Sequence, residues 1–444
     1  MFIPPLFIPM LVARPPKTGF AFFPLFVSFC LMLACVLVLA GAAHSAPSPL
    51  HAQGMQIVDA GGRTVTLRGV NLGGWLVEEP WMQPFAATPP AGSGFAPIKD
   101  HVSLWGTLQK RLGTAGMQRA RTAFRTAWVT EGDFDRLHAL GFNCVRLPFL
   151  ASLLDEPGGV QWLDKAIAWA GARGMYVVLD MHGAPGGQSD QGHTGQANVN
   201  AFFANPANIA RGMAVWARLA RRCQANPAVA GYDLLNEPTG TPNSDTLYVV
   251  QGRLYNAIRA TDTRHIIFIE DGYTGVQWMP FPGPCGWQNV AYSTHYYDFG
   301  AKSAPDQAQA SAGYVASLEA ERARRRIPYY VGEFGLEPGG TPSTLASLLN
   351  TLQSKHFSYS SWTYKVCWTG GGQSLWALYS NVKPLEALDP YRDSEAEWVR
   401  KCAQLRTEHL DENTAMADVF RNASSQAKPS ASSAPPSAAP LSRP

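Results

Sequence analysis

Charge of either sign is scarce in this chain, and so are the residue patterns that bind metals. Lysine and arginine number 36 against 33 acidic residues, and the net charge is only +3. A charge this small and this evenly spread argues against a nucleic-acid partner, and we expect none. The ten histidines do not cluster and no cysteine spacing suits zinc, so we expect no metal ion and no other cofactor.

Cysteines are also few. Only five follow residue 46, namely Cys144, Cys223, Cys285, Cys367 and Cys402. An odd number in an exported chain leaves at least one thiol unpaired or bonded to another molecule. Cys144 alternates within an apolar strand pattern, which predicts a buried free thiol. Cys285 and Cys367 both lie in loops rich in glycine and tryptophan, where a disulfide between them is one option.

The N-terminal residues have the pattern of an export signal. Arg14 and Lys17 precede an apolar run over residues 20–43, and small residues follow up to Ala46. This pattern predicts that residues 1–46 are either a signal peptide, cleaved between Ala42 and Ala46, or an uncleaved membrane anchor. In both cases the remaining chain is secreted or periplasmic, and it meets a membrane only if the segment is retained.

The C-terminal residues have too little apolar content to fold. From about residue 422 to residue 444 the chain consists largely of serine, alanine and proline, which predicts a disordered tail. Between the two ends no further linker of this kind occurs. We therefore expect one domain over residues 53–410, and a monomer.

Within that domain, short apolar strands alternate with amphipathic helical segments. The residue pattern predicts strands at 64–70, 144–147, 176–180, 230–235, 266–269, 290–294, 329–331 and 359–362. Helical patterns follow most of them, and Thr130 with Asp133 has the pattern of a helix start. Eight strands with helical connections indicate an α/β fold, a single (β/α)8 barrel. A doubly wound open sheet is the rival, but no Gly-x-Gly-x-x-Gly motif follows the first strand.

Two glutamates stand where predicted strands end. Glu237 lies in Gly231-Tyr-Asp-Leu-Leu-Asn-Glu-Pro238, and Glu333 lies in Tyr329-Tyr-Val-Gly-Glu-Phe-Gly335. Two facing carboxyl groups are what hydrolysis of a glycosidic bond requires: one protonates the leaving oxygen, and the other attacks the anomeric carbon or activates water. The chain is also rich in aromatic residues, with 13 Trp, 15 Tyr and 21 Phe, and such rings stack on the apolar faces of sugars.

Other functional side chains also fall at the C-terminal ends of strands, where barrel enzymes place their active sites. They are Arg146 on the second strand, His182 after the third, Asn236 after the fourth, His295 and Tyr297 on the sixth, and Trp362 on the eighth. Each also has a purely structural explanation: Arg146 as a buried ion-pair partner, the others as satisfied or packed core residues. Asp180 and Asp233 are interpreted as structural hydrogen-bond acceptors, while Glu270 and Asp271 remain undecided.

In this order the motifs resemble glycoside hydrolase family 5, a large family of retaining, cellulase-type enzymes, over nearly all of residues 53–410. The resemblance implies that Glu237 is the acid/base and Glu333 the nucleophile. It further implies that Arg146, His182, Asn236, His295, Tyr297 and Trp362 bind the sugar at the cleaved bond. We then expect the two carboxyl groups about 5–5.5 Å apart, with the pKa of Glu237 raised.

A closer likeness links the segments 67–82 and 182–188 to the exo-β-1,3-glucanase branch of that family. It implies a retaining β-glycosidase acting on a β-glucan, preferably a β-1,3-glucan, so the expected partner is a polysaccharide or oligosaccharide. Residues 189–200 and the segment after Trp362 depart from that branch, which leaves endo-β-1,4-glucanase or glycolipid-cleaving activity open. A catalytically inactive barrel that only binds polysaccharide also stays open. Glu78 and Lys365 are candidates for additional sugar contacts.

Overall fold

Eight parallel strands close into a barrel in the computed structural model, which describes residues 46–336 and 339–426. A hairpin of β1 (Leu50–Gln53) and β2 (Gln56–Asp59) precedes the barrel. The barrel strands are β3 (Arg68–Asn71), β4 (Cys144–Leu150), β5 (Tyr176–Gly183), β6 (Val229–Asp233), β7 (Ile266–Glu270), β8 (Val290–Tyr296), β9 (Tyr329–Phe334) and β10 (Ser358–Ser361). They pair in chain order, and β10 returns to pair with β3. The predicted (β/α)8 barrel is confirmed.

Helices connect most of the strands. They are α1 (His101–Trp128), α2 (Glu131–Ala139), α3 (Val160–Gly171), α4 (Pro206–Cys223), α5 (Ser244–Arg259), α6 (Ala304–Arg325) and α7 (Pro342–Ser354). The predicted start of α2 is confirmed, since the Thr130 backbone N–H donates to the Asp133 carboxylate at 2.6 Å. A break at Gly113, where φ is +71°, divides α1. Short 3-10 turns occur at Pro80–Met82, Ala151–Asp155, Gly192–Thr194, Val276–Trp278, Ala403–Leu405 and Thr407–His409.

The connection from β7 to β8 contains no α-helix. Residues 271–289, all of them described, form a long loop with a single 3-10 turn, Val276–Trp278. Arg325 anchors this loop, because its Nε donates to the Met279 carbonyl at 2.9 Å and its Nη2 to the Gln277 carbonyl at 2.8 Å. The loop begins beside the C-terminal rim of the barrel, so its first residues are placed next to any site there.

The barrel interior changes from apolar to charged along its axis. Because side chains alternate along a strand, residues two apart point to the same side. Cys144 is therefore followed inside the barrel by Arg146, Val178 by Asp180, and Phe268 by Glu270; all six side chains are buried. The apolar layer joins Leu50 and Ile57 of the hairpin in one cluster, so the hairpin closes the N-terminal end of the barrel. The charged layer lies toward the other end.

The folded region extends beyond the predicted limits of 53–410 at both ends. After β10 come a small sheet of β11 (Lys365–Val366), β12 (Tyr379–Ser380) and β13 (Asp411–Glu412), and the helices α8 (Glu395–Cys402) and α9 (Thr414–Gln426). Helix α9 includes the first residues of the predicted tail. It packs on the barrel because Phe420 is buried, with its ring centre 4.9 Å from that of Phe142. Residues 427–444 lie outside the described part.

The disulfide between Cys285 and Cys367, which the sequence left as one option, is absent among the described residues. All five cysteines that the structure describes are free thiols; Cys285 is exposed, whereas Cys367, directly after β11, is buried. Cys144 is buried and unpaired, as predicted. The predicted export segment lies, except for Ala46, outside the described residues. Among the helices that are described, none is long and apolar enough to cross a membrane.

Candidate active site

Glu237 and Glu333 face each other at the C-terminal rim of the barrel. Glu333 belongs to β9, and Glu237 follows β6 by four residues. One carboxylate oxygen of each and a ring nitrogen of His295 all lie within 4.8 Å of one another. Glu237 has a positive φ of +42°, which is uncommon for a residue with a side chain. Its neighbour Asn236 holds this turn, because the Asn236 N–H donates to the Met181 carbonyl at 3.1 Å and its own carbonyl accepts from Gln188 Nε2 at 2.7 Å.

Hydrogen-bond donors hold both oxygens of Glu333. Arg146 Nη1 donates to Oε1 at 2.8 Å, and the Tyr297 hydroxyl donates to Oε2 at 3.0 Å. His295 Nδ1 lies 3.6 Å from Oε2. The side chain of Glu333 is therefore fixed in orientation, with its carboxylate at the floor of an open cleft. The predicted neighbours Arg146 and Tyr297 are both in contact with it.

Arg146 is the centre of a buried charge network. Its Nε donates to Asp233 at 2.9 Å, its Nη2 lies 3.1 Å from Asp180, and Nη2 also donates to the Asn236 amide oxygen at 2.9 Å. Burial raises the pKa of Asp180 and of Asp233 to about 6, although the Arg146 charge opposes this. These two aspartates, interpreted from sequence as hydrogen-bond acceptors, are thus ion-pair partners of Arg146. One guanidinium thus joins Glu333 to the buried aspartates of the barrel interior.

Glu237 is surrounded by a different set of donors. The Tyr273 hydroxyl donates to Oε1 at 2.7 Å, His295 Nδ1 lies 2.9 Å from the same oxygen, and His193 Nε2 lies 3.7 Å from Oε2. Burial raises the pKa of Glu237, but the hydrogen bond and charge of His295 outweigh it and hold this pKa below its usual range. The predicted rise in the pKa of Glu237 is therefore wrong for the free site. The prediction was based on burial and on the charge of Glu333. The sequence did not reveal the His295 imidazole in contact with the carboxylate.

His295 is held from behind by Glu270. The Nε2 atom of His295 lies 3.0 Å from Glu270 Oε1, and both side chains are buried. Burial lowers the pKa of His295, but the charges of Glu270 and Glu333 raise it well above its usual value. Glu270, undecided from sequence, thus fixes the ring of His295 and stabilises its protonated form. Asp271, also undecided, accepts hydrogen bonds from the Tyr273 N–H and from Thr294.

His182 and Trp362 form one wall of the cleft. Their rings stack with centres 5.5 Å apart and planes inclined by 10°. His182 Nδ1 lies 2.7 Å from Asp180, and burial holds the pKa of His182 well below its usual value, so its ring is neutral. Six of the eight predicted site residues line the cleft itself: His182, Asn236, Glu237, Tyr297, Glu333 and Trp362. Arg146 and His295 lie directly beneath it.

Sequence reasoning missed six further residues of the cleft, which has a volume of about 270 Å³. They are Glu79, Trp81, His193, Tyr273, Phe299 and Trp376. The Tyr297, Phe299 and Trp376 rings stack nearly parallel, with Trp376 5.2 Å from Tyr297 and 6.0 Å from Phe299. The available signal was the aromatic richness of the loops after the strands, but it did not identify which rings face the cleft.

Glu79, not Glu78, is the acidic residue of the first loop that reaches the cleft. Glu78 points away from it into a buried pair with His101, where Trp105 Nε1 also donates to it at 2.9 Å. Glu79 accepts from Trp81 Nε1 at 3.0 Å, its buried Oε1 has no hydrogen-bond partner among the described residues, and burial raises its pKa to about 8.

The predicted sugar contacts of Glu78 and Lys365 are both wrong, because both side chains are buried away from the cleft. The Lys365 ammonium group is buried and donates to the carbonyls of Trp128 at 2.6 Å and Leu405 at 2.8 Å. Lys365 is a structural residue.

Comparison with known proteins is consistent with this geometry. The chain is 32% identical over 292 residues to a beta-xylosidase of Phanerodontia chrysosporium, covering 63% of this chain and 57% of that protein. It is 32% identical over 244 residues to a probable glucan 1,3-beta-glucosidase A of Aspergillus niger, covering 52% of this chain and 55% of that protein. The chain thus spans a little over half the length of these curated relatives.

A solved structure has the same fold. The rutinosidase from Aspergillus niger superposes with a TM-score of 0.56 at 19% identity, covering 70% of this chain and 95% of that one. The family model for cellulase, glycosyl hydrolase family 5, matches residues 110–367, which is more than half of the chain. The chain therefore belongs to glycoside hydrolase family 5, the cellulase family.

Proposed function

We propose that this protein is a retaining β-glycosidase that hydrolyses the O-glycosidic bonds of a β-glucan through a covalent glycosyl-enzyme. The observation that carries the proposal is the approach of Glu237 and Glu333, whose nearest carboxylate oxygens lie within 4.8 Å. Retaining enzymes hold their two carboxyl groups about 5–5.5 Å apart, whereas inverting enzymes leave about 6.5–9.5 Å for a water molecule. The short separation favours direct attack by one carboxylate on the sugar.

In the first step Glu333 is the nucleophile. Arg146 and Tyr297 orient its carboxylate, which attacks C1 of the sugar and forms an ester bond. The bond between C1 and the leaving oxygen breaks, its electron pair goes to that oxygen, and Glu237 supplies the proton. His182 and Asn236 are the polar groups of the cleft wall that bind hydroxyl groups of the sugar, and Trp362 stacks on its ring.

In the second step Glu237 is the base. A water molecule gives a proton to Glu237, its oxygen bonds to C1, and the ester electron pair returns to Glu333. The lowered pKa of Glu237 in the free site keeps its carboxylate ionised, which is the form that can accept a proton. In the first step Glu237 must be protonated. A bound sugar raises the pKa of Glu237 toward this state, because the sugar removes water from around the carboxyl group while the negative charge of Glu333 stays close.

The preferred substrate is a β-1,3-glucan, and the relative named as a probable glucan 1,3-beta-glucosidase supports this choice. Glu79 is a candidate partner for sugar hydroxyl groups, since it lines the cleft and its buried Oε1 has no hydrogen-bond partner among the described residues. The relative named as a beta-xylosidase favours a second candidate, cleavage of a xyloside. Endo-β-1,4-glucanase and glycolipid-cleaving activities would use the same two glutamates and differ only in the loops around the cleft. We further propose that the protein acts outside the cytoplasm, on the strength of its first 46 residues.

Two measurements test the proposal. Release of reducing sugar from laminarin, carboxymethyl-cellulose, xylan and a glycolipid should be greatest for laminarin and should disappear in Glu333→Gln. NMR of the first product should show the β anomer before mutarotation. An α anomer as first product would contradict retention, and faster release from xylan would favour the xyloside candidate. Binding to all four substrates without turnover would support the inactive polysaccharide-binding barrel instead.

A further inference from the structure

Tyr273 is the residue of the helix-free β7–β8 loop that reaches the candidate acid/base. The sequence Asp271-Gly272-Tyr273 turns sharply, with φ of +60° at Gly272 and +58° at Tyr273. A positive φ at a residue with a bulky side chain is strained and needs support from its surroundings.

Asp271 supplies that support. Its side chain accepts from the Tyr273 N–H at 3.3 Å, and its carbonyl accepts from the Thr274 hydroxyl at 2.7 Å. The Tyr273 ring also meets the His295 ring edge-to-face, with centres 6.4 Å apart. The turn therefore fixes the Tyr273 hydroxyl over Glu237, although the residue is half exposed in the cleft.

The two oxygens of Glu237 have unequal surroundings. Oε1 meets both the Tyr273 hydroxyl at 2.7 Å and His295 Nδ1 at 2.9 Å. Among the described residues Oε2 has no hydrogen-bond partner, and His193 Nε2 lies 3.7 Å from it, beyond hydrogen-bond distance. An oxygen that accepts from two donors has no room to carry a proton toward a third group. Oε2 is open to the cleft.

We infer that Tyr273 is a positioning residue for proton transfer: together with His295 it occupies Oε1 of Glu237 and leaves Oε2 to carry the proton to the leaving oxygen. This inference rests on the proposed role of Glu237 as acid/base. The Tyr273 hydroxyl does not itself touch the reacting bond, so its effect passes through the orientation and protonation of the carboxyl group.

Several other titratable groups lie around Glu237, including Asp180 and His182 on β5, Asp271 after β7 and Tyr297 after β8. The others are His295 on β8, Glu333 on β9, His193 in the loop after β5 and Glu79 in the loop after β3. Burial and the charge of Glu237 raise the pKa of Tyr273 far above the working range, so it remains a neutral donor. A neutral donor favours the ionised form of the carboxyl group that accepts from it. Loss of the hydroxyl should therefore raise the pKa of Glu237.

The test is the pH dependence of kcat/KM for Tyr273→Phe with two substrates. One is an unactivated disaccharide, which needs the proton; the other is a dinitrophenyl glycoside of the same sugar, which does not. For the disaccharide we expect the basic limb of the profile to move up by about one pH unit, and kcat/KM at the wild-type optimum to fall about tenfold. For the dinitrophenyl glycoside the change should be less than about twofold.

Tyr255→Phe is the matched control. The Tyr255 hydroxyl accepts from the Gln288 N–H at 2.8 Å, at the far end of the same loop. Its loss should loosen the loop without touching Glu237, and should leave both profiles in place. An unmoved basic limb in Tyr273→Phe, or equal losses on both substrates, would overturn the inference. If the wild-type protein cleaves neither substrate, the proposed function fails instead, so the two failures are distinguishable.

Discussion

Replacement of Arg146 should disturb the interior of the barrel more than any other change at the site. Its guanidinium lies 2.8 Å from Glu333, 2.9 Å from Asp233 and 3.1 Å from Asp180. Methionine has a similar length and no charge, so Arg146→Met removes the cation that these buried carboxylates share. Breaking a buried ion pair from one side costs about 3–5 kcal/mol. With three carboxylates affected, we expect a loss of about 5 kcal/mol in the free energy of unfolding at pH 8, comparable to the whole stability of many domains.

The loss should shrink as the pH falls. In the unfolded chain Asp180 and Asp233 ionise near 3.8, whereas burial raises the pKa of each to about 6 in the folded protein. Their contribution to stability is therefore complete below about pH 4 and is lost as the pH rises through 6. Without Arg146 the pKa of each should rise further, so the variant should lose stability over a wider range, up to about pH 8. At pH 4 Asp180 and Asp233 are neutral in both folded proteins, so the stability deficit of the variant should be smaller there.

Urea unfolding followed by tryptophan fluorescence at pH 4, 6 and 8 measures this difference. Arg173→Met is the matched control, because Arg173 pairs with the exposed carboxylates of Glu131 and Asp135. Solvent-exposed pairs of this kind contribute less than about 1 kcal/mol, so the control should unfold nearly as the wild type at every pH. Equal stability of Arg146→Met and wild type at pH 8, or a deficit independent of pH, would refute the reasoning.

Three further predictions concern individual side chains. Glu237→Ala should still form a glycosyl-enzyme rapidly from a dinitrophenyl glycoside, and added azide should restore turnover and give a glycosyl azide of retained configuration. If azide instead rescues Glu333→Ala and gives a product of inverted configuration, the two roles are exchanged. Burial raises the pKa of Glu79 from 4.5 to about 8, so Glu79→Gln should be more stable than the wild type at pH 8 but not at pH 4. Between these values the difference in the free energy of unfolding should grow by up to about 1.4 kcal/mol per pH unit. A series of thermal unfolding measurements across this pH range checks the sign. Lys365→Met should lower the free energy of unfolding by about 3 kcal/mol. It should leave kcat/KM of the folded protein unchanged, since the Lys365 ammonium group is buried away from the cleft. A loss of activity without a loss of stability would indicate that Lys365 does contribute to the site.

Much of this barrel could be predicted from the sequence because its signals are local. All eight predicted strands occur, with ends displaced by a few residues. The positions of Arg146, Glu237 and Glu333 near strand ends were enough to predict that they lie close together. The C-terminal ends of parallel strands in a closed barrel all lie at one rim. The helices α1, α8 and α9 were not predicted. Their apolar faces pack on elements distant in the sequence, as Phe420 does on Phe142, and such contacts leave little trace in a local pattern.

The choice between adjacent residues could not be made in the same way. Glu78 and Glu79 have the same chemistry and neighbouring positions, but successive residues of an extended segment point to opposite sides. Only the packing of that segment on α1 determines that Glu78 meets His101 while Glu79 faces the cleft.

The sequence by itself determined the order of the strands, the carboxylates at their ends and the family to which the chain belongs. Those features depend on residues close together in the chain. Only the tertiary structure determined which groups set the pKa of Glu237, because its partners Tyr273 and His295 lie 36 and 58 positions further along the chain. The pKa of a carboxyl group follows the charges and donors within a few ångströms of it, and these neighbours are set by how the strands and loops pack, not by the residues beside it in the sequence.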